Sequence, residues 1–186
     1  MGKSASGKDS LYKKLIDADL DLKRYAIYTT RPKRDGELEG VEYYFVNKKY
    51  LEDNKDKILE ERVYHTVEGD WYYATLDDGK IKNDKNYIII GTLESYNILK
   101  KHYGEKNIYP IYLEVNNVLR KQRAIYRETM QKVPKIEELE RRFKADEIDF
   151  SEENIKKAGI VKRYINEDFD KCYNEVLDDI KKKIDG

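Results

Sequence analysis

The 186-residue sequence contains one cysteine, Cys172. No disulfide can form within a single chain, and the composition suits a reducing compartment such as the cytoplasm. Histidine is almost as scarce: His65 and His102 are too few and too scattered to build a metal site. No apolar run approaches the ~18 residues of a transmembrane span. Lys3 follows the first two residues with no apolar stretch behind it, so no signal-peptide pattern is visible. An excess of either charge is also absent, with 37 Lys+Arg against 37 Asp+Glu. No global field therefore draws the chain toward nucleic acid or a membrane surface, although local basic clusters can still bind phosphate. Internal repeats, low-complexity tracts and linkers are absent as well. At this length the expectation is one domain, large enough to bury a core.

What is present is an alternation of short apolar runs and amphipathic stretches, rich in tyrosine (17 residues). Most of those tyrosines are read as packing surface with a wet tip. Residues 8–18 read as a helix carrying Leu11, Leu15 and Ile16 on one face. RYAIY at 24–28 and YYFV at 43–46 read as strands, and Asn47 as the cap of a helix running to about Lys55. Two strand-like runs, 58–67 and 71–75, flank Glu68-Gly69-Asp70 as a hairpin. NYIII at 86–90 reads as a strand buried on both faces, followed by a helix from the Thr92 cap to about Tyr103. A strand at 108–115, a cap at Asn116 opening a helix that carries Arg120, Arg123 and Arg127, a helix over 135–150, and a strand at 159–165 come next. A last helix presents Phe169, Tyr173, Val176, Leu177 and Ile180 inward. Strand–helix alternation predicts an α/β fold with a mostly parallel sheet.

The chemistry begins at the first residues, MGKSASGKDS. Gly2 and Gly7 stand five apart and Lys8 follows, the spacing of a phosphate-binding loop. In such a loop the backbone of Gly2, Lys3, Ser4, Ala5, Ser6 and Gly7 turns its N–H groups into one concavity. The next helix adds its N-terminal partial charge, and Lys8 reaches the terminal phosphates. The position that should carry a Mg²⁺-binding hydroxyl holds Asp9, with Ser10 next; either oxygen suits Mg²⁺, so the ligand stays open between them. The same residues also fit an N-myristoylation pattern, Met1-Gly2 with Ser6, a weaker reading because it needs Gly2 at a free terminus rather than inside a loop. The strand that should feed the loop is missing before Gly2. The expectation is therefore that Met1 is an internal methionine of a longer natural chain.

TTRPKRDGELEGVEYYF at 29–45 supplies a second site. Arg31 and Arg34 flank Pro32, so two guanidinium forks sit on one stiffened segment and can grip a phosphate, with the Tyr43 hydroxyl as a further donor. The stretch resembles the guanylate kinase family pattern T-T-R-x-x-R-x-G-E-x-x-G-x-x-Y-x-F, matching at Thr29, Thr30, Arg31, Arg34, Gly36, Glu37, Gly40, Tyr43 and Phe45. The resemblance implies a P-loop three-layer α/β fold with a parallel core sheet (1–28, 76–119 and 152–186), a small antiparallel GMP-binding insert (29–75) and a helical lid (120–151). It implies transfer of the ATP γ-phosphoryl group to GMP with Mg²⁺, in a monomer or homodimer that binds neither nucleic acid nor membrane. By the same resemblance Arg31, Arg34, Tyr43 and Tyr73 hold the GMP phosphate and Thr75 touches the guanine. Glu61, with Glu60 close behind, would read the guanine N1–H and N2 amino group. Arg123, Arg127 and Arg142 (favoured over Arg141) would act on the transferring phosphoryl group, and Asn166 in YINEDFDK would lie beside the adenine.

Four departures from the family pattern stand out: Asp9, Gly91 in place of an aspartate, Ile27 and Tyr28 in place of small hydroxyl residues, and the missing first strand. They keep two other readings in view, a non-catalytic guanylate-kinase-like interaction module and a kinase for another nucleoside monophosphate.

Overall fold

Four helices start at polar side chains, three of which (Asn47, Thr92 and Asn116) the sequence marks as caps. Asn47 accepts the Tyr50 N–H at 2.8 Å, Thr92 the Ser95 N–H at 3.2 Å, Asn116 the Val118 N–H at 2.8 Å and Ser151 the Asn154 N–H at 3.3 Å. Each bond satisfies a backbone donor that the first helical turn leaves unpaired. The computed structural model describes residues 1–186 apart from Asp19, Asp35, Val67, Glu68, Lys132, Val133, Lys135 and Gly186, and the side chain of Asp185. In chain order the elements begin with α1 (Lys8–Ile16), β1 (Leu22–Arg24), β2 (Ile27–Thr29), β3 (Tyr43–Phe45) and α2 (Lys48–Asp53). The hairpin strands β4 (Ile58–Thr66) and β5 (Gly69–Leu76), then β6 (Asn86–Ile88) and α3 (Leu93–Tyr103), follow. The chain ends with β7 (Leu113–Glu114), α4 (Asn117–Thr129), α5 (Ile136–Asp149), α6 (Glu152–Lys157), β8 (Tyr164–Ile165) and α7 (Phe169–Asp185).

The chain divides into two units, Met1–Leu20 with Ile90–Gly186, and Asp21–Ile89. The second is wider than the 29–75 insert expected from sequence, because β1 and β6 belong to it. In the first unit β7 and β8 pair in parallel. Leu93, Tyr96, Tyr112, Phe150, Ile155, Ala158 and Ile160 form its core cluster. Helix α7 buries Cys172, Val176 and Ile180, a stripe at i, i+4 and i+8. Met1 lies along the chain just before β7. Its N–H donates to the Ile111 carbonyl at 2.7 Å, and its carbonyl accepts the Leu113 N–H at 2.9 Å.

In the second unit β1 pairs with β6 in parallel, and a four-stranded sheet runs in the order β3-β2-β5-β4. Its β2/β3 pair is parallel and its other pairs are antiparallel, so the insert is not wholly antiparallel. Tyr28, Leu51, Ala74 and Leu76 form its core. The Tyr28 ring stacks on Tyr44 at 4.8 Å and Tyr50 at 5.5 Å. Its hydroxyl donates to Asp78 and accepts from Lys80 in short hydrogen bonds. A residue that replaces a small hydroxyl side chain thus serves as a packing centre with its own polar tether.

Several expected strands are shorter or divided. The run 24–28 splits because β1 joins β6 while β2 joins β3 and β5. The 108–115 run includes Pro110, which has no N–H to give a ladder, and only Leu113–Glu114 is strand. Of 159–165, only Tyr164–Ile165 pairs, opposite β7. NYIII is half-buried rather than enclosed on both faces, and only Asn86–Ile88 is strand. Helix α6, capped by Ser151, was not foreseen as an element. Within the expected turn Glu68-Gly69-Asp70, Glu68 lies outside the described residues.

Candidate functional site

The 2–8 loop is a chain of tight turns. Gly7 has φ +90°, and a Cβ there would fall 2.3 Å from the Asn166 amide nitrogen. Glycine meets both demands. Ala5 does not have that freedom, yet it stands at φ +59°. A left-handed alanine costs about 1–2 kcal/mol, so its surroundings must hold it there.

The side chains around the loop come from distant parts of the chain. Asn166, buried, donates to the Ser6 carbonyl at 2.8 Å, and its own oxygen has no partner among the described residues. Arg123 donates to the carbonyls of Asn166 and Glu167 at 2.9 and 3.1 Å, so its fork braces the segment that carries Asn166. Lys8 donates to the Lys3 carbonyl at 3.0 Å. Burial pushes the Lys8 ammonium below its ordinary pKa; Asp9 and Asp146 pull it back up, while Arg120 and Arg127 push it further down. Arg127 therefore faces the same region, with its side chain exposed. Arg142 is half-buried, and its Nε has no partner among the described residues, whereas Arg141 is bound to Glu138 at 2.8 Å on the outer surface. Asp9 and Ser10, in the first turn of α1, are exposed. A cavity of about 410 Å³ in this unit is lined by Lys3, Ser6, Glu114, Asn117, Arg120 and Glu167, among others.

The second unit carries its own cluster. Arg31 is 3% exposed and donates to Glu37 and the Pro32 carbonyl, both at 2.7 Å. Burial works against its charge, but Glu37 and Tyr73 outweigh it and hold its pKa above the usual arginine value. The hydrogen bond from Arg31 in turn holds Glu37 below the usual carboxylate range. Glu37 also accepts the Arg34 N–H at 2.7 Å, so one carboxylate fixes the whole Arg31–Arg34 turn. The Arg34 side chain is exposed. The Arg31 guanidinium lies 5.3 Å from the centre of the Tyr43 ring, and Tyr43 meets Tyr73 edge-on at 5.6 Å. Arg31, Tyr43 and Tyr73 are thus brought together.

The two candidate carboxylates of β4 lie in different surroundings. Glu61 is exposed and pairs with Ala74 in register, while Glu60 is 5% exposed and faces Thr75. The Thr75 hydroxyl donates to Glu60 Oε2 at 3.2 Å, and Arg62 Nε lies 2.5 Å from Glu60 Oε1. Adjacent strand residues point to opposite faces, so only one of the two carboxylates can reach Thr75. Arg62 had no sequence signal. Arg120 had a faint one, as the first of three arginines on one helix. Asp146 had none, since its meaning lies in contacts with residues far away in the chain.

Fold and side chains together define an α/β protein built on a glycine loop that opens a helix, with a separate arginine–tyrosine cluster. The family model for guanylate kinase matches residues 1–184, and the chain belongs to the guanylate kinase family. It is 29% identical over 133 residues to the guanylate kinase of Helicobacter hepaticus, covering 69% of this chain and 64% of that one. It is 33% identical over 114 residues to that of Haemophilus influenzae, covering 57% and 53%. The aligned regions thus span between half and two thirds of these relatives' lengths. A crystal structure of guanylate kinase from Anaplasma phagocytophilum shares the fold, with a TM-score of 0.65 at 15% identity over 98% of this chain and 83% of that one. Among the described residues no helix is long and apolar enough to cross a membrane.

Proposed function

We propose that the protein transfers the γ-phosphoryl group of ATP to GMP, yielding ADP and GDP. The observation that carries this reading is the shared face of β5. Tyr73 and Thr75 stand two apart and so point the same way. Tyr73 touches the Tyr43 ring beside Arg31, and Thr75 is bonded to the buried Glu60. One face thus joins an anion-binding cluster to a carboxylate. Guanine offers two adjacent donors on its Watson–Crick edge, and adenine offers none at N1 or C2, so a carboxylate selects guanine.

On this reading the 2–8 loop is a phosphate loop that binds ATP, with Lys8 at the terminal phosphates and Asn166 near the base. Arg123 braces that segment, and Arg127 and Arg142 supply positive charge to the transferring group. Asp9 and Ser10 offer hard oxygen ligands, and Mg²⁺ needs only one or two from the protein when phosphates supply the rest. They would hold the ion, which would neutralise phosphate charge. The reading places the reaction in the cytoplasm, in a monomer or homodimer acting on the two nucleotides alone.

Coupled ADP-release assays with GMP, AMP, UMP and dTMP test it. Glu60→Gln is expected to lower kcat/KM for GMP about a hundredfold, because a site built around a polar contact loses heavily when that contact is unmade. Glu61→Gln should change it less than about twofold. A larger effect from Glu61 would reverse the assignment, and no phosphorylation of GMP by the parent chain would refute the function. Arg34→Ala is expected to raise the KM for GMP about tenfold, as loss of one charge-assisted contact does, with the KM for ATP unchanged. Equal effects on both nucleotides would remove Arg34 from the acceptor site.

A further inference from the structure

The backbone of Ser4 is gripped on both sides of its Cα. Its N–H donates to Asp146 Oδ2 at 2.7 Å, and its carbonyl accepts from Arg120 Nη1 at 3.0 Å. The same Nη1 donates to the same Asp146 oxygen at 3.0 Å, which closes a ring of three hydrogen bonds around one residue and fixes the peptide groups on both sides of it. Arg120 is 1% exposed, so its guanidinium is largely shielded from bulk water. Its remaining donors go to Asn117 at 3.1 and 3.3 Å and to Glu147 at 2.9 Å. Its guanidinium carbon lies 4.4 Å from the centre of the Phe143 ring. Glu147 also takes the Lys3 ammonium at 2.6 Å. Two helices, α4 and α5, thus converge on the residue that precedes Ala5, the one non-glycine at positive φ among the described residues.

We infer that Arg120 and Asp146 are positioning residues for the phosphate loop, holding Ala5 in the left-handed turn that aims the following N–H groups into the cradle. The inference deepens the proposed function and rests on its assignment of the loop to ATP. Neither side chain need touch the nucleotide. A loop with glycine at position 5 would adopt the turn unaided; this loop has alanine there and a buried ion pair beside it. The clamp offsets the conformational preference of one methyl group.

A merely structural pair would fail the following test. Arg120→Met with Asp146→Leu keeps the volume and removes both the charge and the hydrogen bonds. ATP affinity is measured by calorimetry on the whole chain, in the parent and in an Ala5→Gly background. Removing the pair is expected to weaken ATP about tenfold when position 5 is alanine and no more than about threefold when it is glycine. The KM for GMP should stay within about twofold in both backgrounds. An equal loss in both backgrounds, or no loss in either, overturns the inference. If the double variant misfolds by circular dichroism, Asp146→Asn replaces it, with a loss of about threefold that Ala5→Gly removes. A loss unaltered by the glycine, or none, again overturns it. The expected ATP coupling in a chain that does not phosphorylate GMP would sink the kinase reading and leave the clamp supported. A parent chain that binds no ATP overturns both.

Discussion

On the proposed function, Lys8→Met is expected to lower kcat about a thousandfold, the upper end for losing one preorganised electrostatic contact to a transferring phosphoryl group. The reason lies in what surrounds the ammonium. It is largely enclosed, bonded to one backbone carbonyl at 3.0 Å, and burial has already pushed its pKa down. A cation kept in that state is poorly solvated until an anion arrives, and the arriving phosphate meets a preformed charge rather than a hydrated one. Methionine retains the length and the apolar stem but removes the charge. Stability should therefore hold or rise: the thermal midpoint of the variant should equal or exceed the parent's, since the desolvation penalty is gone. A rapid-quench measurement with saturating ATP and GMP reads the chemical step, and differential scanning calorimetry reads the midpoint. A variant that turns over at the parental rate would remove Lys8 from the reaction. A variant that loses activity and melts much earlier would show that the residue works through folding instead. Because the Lys8 pKa is lowered in the nucleotide-free protein, the alkaline limb of the parent's kcat/KM profile for ATP, which reports the free enzyme, should fall at a lower pH than an exposed lysine would give and be absent in the variant.

The parts of the fold legible in the sequence are those decided over a few residues. Asn47, Thr92 and Asn116 announce helix starts because a cap acts within one turn, and all three accept the bond expected of them. The Gly2–Lys8 spacing and the Thr29–Phe45 stretch are legible for the same reason, since each is a compact piece of backbone with its own geometry. Glu60 against Glu61 was not legible. The pairing of β4 with β5 slips between Ile58 and Glu60, and one residue of slip exchanges the faces of a strand. No local pattern reveals such a bulge. Arg120 and Asp146 were hidden for another reason. Their partner Ser4 lies 116 and 142 residues away, so an arginine on a basic helix reads as a solvated face until the helix is placed. The left-handed turn at Ala5 is not legible in the sequence because alanine carries no sign of positive φ. Strand lengths were overestimated where apolar runs continue past the paired residues, as in 108–112 and 159–163; the apolar side chains there serve packing, and Tyr112 and Ile160 both lie in the core cluster.

A polypeptide made to begin at Met1 with a free amino group is expected to lose stability as the pH falls from 8 toward 5. Burial, and then the Lys8 charge, lower the pKa of that amine from 8.0 to about 5. The nitrogen can still donate to the Ile111 carbonyl when neutral, so the folded chain accommodates the uncharged form and resists the charged one. Between the two pKa values the unfolded chain binds a proton that the folded chain does not, so stability rises with pH through that window. The contribution is complete above pH 8, declines as pH falls, and is fully lost below about pH 5. The span from 8.0 to about 5 is three units, or about 4 kcal/mol at roughly 1.4 kcal/mol each. That is a large share of a typical stability of ~5–15 kcal/mol. The control is the same chain carrying one additional residue before Met1, which converts the amine to an amide that keeps the N–H but cannot titrate. Urea unfolding of both chains at pH 8.5 and 5.5 isolates the effect, because every other group titrates alike in the two. The free-amine chain should lose about 3–4 kcal/mol more than the extended one on acidification. Parallel losses would mean that the amine reaches water in the folded state, and the Met1 contacts beside β7 would have to open for it to do so.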